Sequence, residues 1–161
     1  GRNHVFFLPY LMGERSPYNN PNARAAFIGM SMDSTRTDML QAVMEGISFG
    51  IRDSYEVATA LSIDVKRTRI CGGGAKGDLP KKMMADILNI DVDVPANDQG
   101  PSMGGAILAS VAAGEYASVE EAAGKIVKME GTIHPDPEIA ARYEEKYQRY
   151  RKLYPLLKEW Y

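Results

Sequence analysis

Apolar positions follow two different periods along this chain. The run VFFLPYL, with Phe6, Phe7 and Leu8 at its centre, predicts a buried strand ended by Pro9. Residues 13–22 are dense in Gly, Pro, Asn and Ser and predict a loop, after which Ala25 to Met30 predict a second strand. From Asp38 the spacing changes. Leu40, Val43, Met44, Ile47, Ile51, Ala58 and Leu61 recur every three or four residues and predict a long helix with these residues as its apolar side. Thr35 is the expected N-cap, and Asp38 places negative charge among the exposed amides of the first turn. The helix is expected to end near Leu61.

Strand-like and helix-like segments then alternate: RTRIC as a strand, a glycine cluster, an amphipathic stretch from Leu79 to Leu88, and IDVDVP as another strand. Pro101 and Ser102 open a further helix whose small residues Gly104, Gly105, Ala106, Ala109 and Ala112 suit close packing on a sheet. Ser118 and Glu121 form an S-x-x-E capping box ahead of a short helix. A loop over 131–136 leads to Asp136 as N-cap and Pro137 at the first helical position of the last helix. That helix puts Ile139, Tyr143, Tyr147 and Tyr150 on one side, and Pro155 is expected to break or kink it. Such an order predicts an α/β layer architecture.

Composition narrows the function classes. At 161 residues the chain has the length of one ordinary domain, and 45% hydrophobic with 25% charged residues is a globular balance. A net charge of −2 gives no electrostatic footprint for nucleic acid or for a membrane surface. The single cysteine, Cys71, cannot form an internal disulfide and suits a reducing, cytoplasmic setting. The sequence holds no apolar run of the roughly 18 residues that a membrane span needs, and neither a signal peptide nor a spanning helix is expected. An opening Gly1 in place of Met is what a fragment would show.

The strongest chemical feature is CGGGAKGD, residues 71–78, between a predicted strand and a predicted helix. Consecutive glycines let a ligand approach the backbone, and the helix start offers unpaired amides to an anion such as a nucleotide phosphate. The segment lacks the G-x-x-x-x-G-K-[ST] spacing, so Lys76 is not a P-loop lysine. Gly72, Gly74 and Gly77 satisfy G-x-G-x-x-G, which keeps a dinucleotide-binding redox domain open, with Asp93 or Asp98 as its ribose acid. A tight turn that needs glycine only for its dihedrals is a third reading. Cys71 reads as a buried small hydrophobe, since neither His4 nor His134 has the context of a catalytic partner. Tyr143, Tyr147, Tyr150 and Tyr154 read as packing. For Glu14 and Arg15, an ion pair with Arg24 or Asp33 and a substrate contact remain equal alternatives.

The run from Pro9 to Asp53 resembles the C-terminal signature of FGGY carbohydrate kinases, with GERSP and NPNAR most similar to xylulokinases. Phe27, Gly29, Asp38, Met39, Ala42 and Glu45 match the signature's pattern, the glycine cluster resembles GGGAKS, and QGPSMGGAILASVAAGEY resembles the family's GPALGAA helix. Gly77 departs from the usual serine, Ala25 from a common glycine, and Met103-Gly104-Gly105 from Leu-Gly-Ala. The resemblance implies an actin-like, ribonuclease-H-like fold, of which residues 1–161 would be the C-terminal, nucleotide-binding lobe with a mixed sheet and flanking helices. It implies ATP with Mg²⁺ as cofactors and D-xylulose as the sugar. It assigns Gly73, Gly74, Ala75, Lys76 and Asp78 to the nucleotide, with Gly77 unable to offer a hydroxyl. The general base and most sugar contacts would lie outside this chain, so Asp38, Asp78 and Asp98 are not nominated. The chain alone would be inactive. A homodimer is compatible with the resemblance, and a non-catalytic ATP-binding module is the remaining alternative.

Overall fold

A computed structural model describes residues 2–73, 76–96 and 100–161. In chain order its elements are β1 (Phe6–Leu8), β2 (Ala26–Ile28), α1 (Arg36–Ala60), β3 (Arg67–Arg69), α2 (Asp78–Leu88), β4 (Asp91–Pro95), α3 (Gly100–Ala112), α4 (Val119–Ile126), β5 (Met129–Ile133), α5 (Pro137–Tyr150) and α6 (Leu153–Leu157), closed by a 3-10 turn over Lys158–Trp160. Contacts gather them into two compact units, one of Gly1–Val65, Asp86–Asn89 and Pro135–Tyr161, the other of Lys66–Ala85 and Ile90–His134.

In the first unit β1 and β2 pair antiparallel, Phe6 opposite Ile28 and Leu8 opposite Ala26. Phe7 and Phe27 meet with ring centroids 4.6 Å apart. Gly29 follows at φ +84, and a Cβ there would stand 2.8 Å from the His4 carbonyl oxygen. Only glycine tolerates both conditions. Helix α1 begins as the sequence predicts. The Thr35 hydroxyl accepts from the Asp38 amide, and the Asp38 carboxylate accepts from the Thr35 backbone N–H at 2.9 Å. These two bonds satisfy donors that the first turn would otherwise leave orphaned.

The face that α1 buries differs from the expected one. Ala42, Glu45, Gly46, Ser48, Phe49, Arg52 and Asp53 are buried, whereas Leu40, Ile47, Ile51 and Leu61 are 55%, 49%, 46% and 69% exposed. Two constraints turn the helix this way. Its backbone lies against β1 at Gly46, and Phe49 enters a ring of tyrosines from α5, with centroids at 6.2 Å to Tyr143, 5.8 Å to Tyr147 and 5.0 Å to Tyr150. The expected tyrosine stripe is therefore packing, as its helical spacing indicates. Tyr154 extends it, stacked at 3.9 Å on Tyr18 from the first loop.

The break expected at Pro155 falls ahead of the proline itself. The chain turns earlier, at Arg151 and Lys152, and Pro155 sits in the first turn of α6. A proline is tolerated there because that amide needs no helical partner, while its ring bars a continuous helix from passing the residue four positions before it.

Burial of Asp53 gives the unit a pH dependence. Desolvation pushes its carboxyl up to about 6, against the opposing effect of the Tyr147 hydroxyl, which donates to it at 2.7 Å. A carboxyl with a folded pKa above its unfolded value of about 4 binds more protons in the folded state between those limits, so stability falls as pH rises through that window. The full cost, about 3 kcal/mol, is present above about pH 6. Asp53→Asn is accordingly expected to gain up to that amount near neutrality and to flatten the dependence below it. Urea midpoints of both proteins at about pH 4 and about pH 7 check this, and parallel pH slopes would sink it.

In the second unit β3 and β4 are parallel, Arg67 opposite Asp91 and Arg69 opposite Asp93, and β4 pairs antiparallel with β5, giving a mixed three-stranded sheet in the order β3-β4-β5. The sequence reading places only a loop where β5 runs. Its Gly and Glu and its exposed edge position leave it without an apolar period. The register shifts between Val94 and Pro95, where a proline cannot donate to the ladder. Met83, Met84, Ala85, Val92, Val94, Ile107 and Ala122 form the buried side. Helix α3 corrects a further expectation. Ile107 is its one buried residue, and a Cβ built on Gly104 or Gly105 meets nothing within 4 Å.

Candidate functional site

The glycine cluster leaves the carboxyl end of β3 and leads into α2, and α3 begins shortly after the carboxyl end of the parallel neighbour β4. Ligands of open α/β sheets lie outside this edge, where helix starts present backbone amides. Gly72 has φ +87, a conformation costly for other residues, and a Cβ at Gly72 or Gly73 would meet nothing within 4 Å. At these two residues no neighbouring atom stands where a side chain would be. Lys76 donates its backbone N–H to the Gly73 carbonyl at 3.3 Å, which closes the turn, and its side chain is exposed. Asp78 opens α2 with a fully exposed carboxylate 3.3 Å from the Lys81 ammonium. Gly74 and Ala75 lie outside the described residues, as does Asp98.

Three of the five nucleotide candidates, Gly73, Lys76 and Asp78, are thereby placed on one strand-to-helix connection with access to solvent. Cys71 is exposed, not buried, because β3 ends at Arg69 and the chain leaves the sheet before it. Asp93 is engaged within the sheet: it accepts from the Thr132 hydroxyl at 2.6 Å and faces the Arg67 guanidinium at 3.6 Å. That engages one of the two acids offered for a dinucleotide ribose, and the other, Asp98, lies outside the described residues. His134 also has a partner the sequence concealed. Its Nδ1 lies 2.7 Å from Asp91, and with Arg67 nearby the Asp91 carboxyl is held below the ordinary range, first by the bond to His134. Among the described residues no group of His, Cys, Asp or Glu is arranged to hold a metal ion.

The signature residues Phe27, Gly29, Asp38, Ala42 and Glu45 build the scaffold. Asp38 caps α1, and its carboxyl is lowered by the hydrogen bonds from Thr35. Ala42 packs with Val5 and Phe7. Glu45 is buried against Lys146 of α5, whose ammonium also donates to the Val5 carbonyl at 3.2 Å. Lys146 and Arg52 were invisible as functional positions in the sequence. Arg52 donates to the Ile87 carbonyl at 3.0 Å, pairs with Glu56 and Glu144, and lies over the Tyr147 ring at 4.1 Å. In the first loop Glu14 accepts from the amides of Tyr18 and Asn19, and Arg24 donates to the carbonyls of Pro21 and Ala23. Both serve the turn they occupy.

Residues 1–113 match the profile of the FGGY family of carbohydrate kinases, C-terminal domain. The chain is 35% identical over 159 residues to a xylulose kinase of Bacillus subtilis, covering 99% of this chain and 32% of that protein. It is 32% identical over 157 residues to a gluconokinase of Bacillus licheniformis, covering 97% of this chain and 29% of that protein. A crystal structure of a xyloylose kinase from Brucella ovis superposes with a TM-score of 0.86 at 33% identity, over 98% of this chain and 32% of that one. The chain thus spans about a third of the length of the relatives it matches.

Proposed function

The chain belongs to the FGGY family of carbohydrate kinases and carries that family's C-terminal domain over residues 1–113, and on that premise we propose that it supplies the nucleotide side of an ATP-dependent kinase that phosphorylates D-xylulose. The observation that carries the reading is the glycine-lined connection from β3 to α2, open to solvent at Gly72 and Gly73 and followed by the α2 amides. A nucleotide suits such a surface, since Gly72 and Gly73 carry no side chain to hold it off the backbone. Gly73, Gly74, Ala75, Lys76 and Asp78 are the residues that would hold it. The glycines admit the adenosine side, the α2 amides favour negative charge, and the Asp78 carboxylate, free of cover, is set to accept from a hydroxyl. ATP with Mg²⁺ supplies the transferable phosphoryl group, and the protein's task is to position it and spread its charge.

Phosphoryl transfer needs the acceptor hydroxyl aligned and its proton accepted. Asp38 and Glu45 are committed to the α1 cap and to Lys146, and neither is free to serve as the base. The 161-residue chain alone is therefore expected to show no sugar-dependent ADP release. In a complete kinase containing it, D-xylulose should drive turnover better than D-gluconate, and Gly74→Val should lower kcat/KM for ATP by about 100-fold or more with the fold retained. A coupled ADP-release assay reads all three. Unchanged kinetics in Gly74→Val would reduce the cluster to a turn, and preference for gluconate would change the sugar.

A further inference from the structure

Helix α2 is held mainly by its second half. Asp78 and Leu79 at its start are exposed, whereas residues 83–88 are all buried. The last four carbonyls of a helix lack partners within it, and α2 has no basic residue of its own in that turn. Arg52 of α1 supplies the charge. Its Nη1 donates to the Ile87 carbonyl at 3.0 Å, where a cation also meets the negative end of the helix dipole. The rest of the guanidinium is engaged as well: Nε pairs with Glu56 at 3.1 Å, Nη2 pairs with Glu144 of α5, and the group lies 4.1 Å from the Tyr147 ring centroid. A second brace acts on the same turn, since the Asp86 carboxylate accepts from the Asp136 amide at 2.7 Å.

We propose that Arg52 is a positioning residue for the nucleotide site, acting through α2. The role rests on the reading of residues 73–78 as the nucleotide connection. A helix of eleven residues is about 16 Å long and turns as one piece, so a pivot at Ile87 displaces the amides at Asp78. A misplacement of about 1 Å made far from the chemistry can cost about 100-fold in rate. Apolar packing alone does not fix such a pivot, because burial is non-directional. A planar guanidinium with partners on α1, α2 and α5 does fix it, since its fork satisfies all of them in one orientation. Stability alone is a poor reason for this residue: a buried cation carries a desolvation cost that an apolar side chain of similar volume avoids.

The test uses a complete kinase polypeptide containing this chain. Arg52→Lys keeps a cation in place but not the fork that reaches Ile87, Glu56 and Glu144 together. It should raise KM for ATP about tenfold or more and leave KM for D-xylulose within about twofold. Glu144→Gln is the milder variant, at a side chain 47% exposed, and should raise KM for ATP about threefold with the fold retained. A purely structural role would lower the amount of active enzyme, and so kcat, with both KM values unmoved. Hydrogen exchange gives a readout apart from turnover: without nucleotide, amides in the first turns of α2 should exchange faster in Arg52→Lys, and those of β1 should not. An unchanged KM for ATP in Arg52→Lys overturns the proposal, and so does unchanged exchange in α2. Where Arg52→Lys does not accumulate, an unchanged KM for ATP in Glu144→Gln overturns it. Gly74→Val separates this role from the reading beneath it. If Gly74→Val impairs ATP use and the Arg52 and Glu144 variants do not, the positioning role alone falls; if none of them does, the nucleotide reading falls and takes the role with it.

Discussion

Gly46→Ala is expected to cost the protein roughly 3 kcal/mol or more, although alanine normally favours a helix interior over glycine by about 1 kcal/mol. The reason is a single contact. A Cβ at position 46 would stand 2.1 Å from the Phe7 carbonyl oxygen and 3.0 Å from its carbonyl carbon, and both atoms are backbone. Neither can swing aside as the end of a side chain could, so α1 and β1 must separate and the packing around Phe49 opens with them. Gly50, one turn later on the same helix, is the internal control. Its Cβ would meet Pro9 Cγ at 3.5 Å and the Tyr150 hydroxyl at 4.0 Å, ordinary contacts. Gly50→Ala should be neutral or stabilising by up to about 1 kcal/mol. Thermal denaturation should separate the two variants by roughly 10 °C, taking about 2–4 °C per kcal/mol for a chain of this size. Equal midpoints would mean that β1 accommodates the methyl group.

A comparable loss is expected from breaking the Glu45–Lys146 pair on one side only. Both side chains are almost fully buried, at 1% and 4% exposure. Glu45 also accepts from the Gln41 amide at 2.8 Å, and Lys146 also donates to Val5. The environment opposes the ammonium: desolvation lowers the Lys146 pKa, and the bond to Glu45 restores part of the shift. Lys146→Met leaves a buried carboxylate without its cation, and Glu45→Leu leaves a buried ammonium without its anion. Each should cost about 3–5 kcal/mol. The double variant fills the same space with apolar atoms and should cost far less than the sum, losing mainly the hydrogen bonds to Gln41 and Val5. A double-mutant cycle in urea is the measurement, and a coupling energy below about 1 kcal/mol would show that the two residues act separately.

These two sites explain what the sequence could reveal and what it concealed. The start of α1 was legible because the Thr35–Asp38 cap is local, three residues apart, and the start of α5 was legible from Asp136 and Pro137 for the same reason. The buried face of α1 was not. Its outer stripe is as apolar as a core stripe should be, and its inner face carries Glu45, Arg52 and Asp53, whose burial depends on Lys146, Glu144 and Tyr147 about 90 to 100 positions later. A hydrophobic period cannot register charges that are neutralised at such separations. The strand β5 was missed because its pairing with β4, not its composition, makes it a strand. At the candidate site the strand-to-helix placement of the glycine cluster was readable from turn chemistry, and so was the family. The role of Glu45 was not, since that carboxylate could have served chemistry or scaffold until Lys146 was found beside it.

The bond from Lys146 to the Val5 carbonyl spans 141 residues, nearly the whole sequence. A ribosome making this chain therefore releases β1 and α1 long before their closing partner exists. Until α5 emerges, Glu45 lacks its cation, and Phe49 lacks the tyrosines that enclose it. Closure of so long a loop is slow compared with local helix formation, so the nascent protein passes through a stage in which α1 is formed but unsealed. A polypeptide cut off before Pro137 would remain at that stage, presenting a carboxylate without its cation and an open aromatic site to chaperones and proteases. Helix α5 thereby acts as the seal of the first unit: a chain not yet translated through it cannot hide the Glu45 carboxylate or the Phe49 ring.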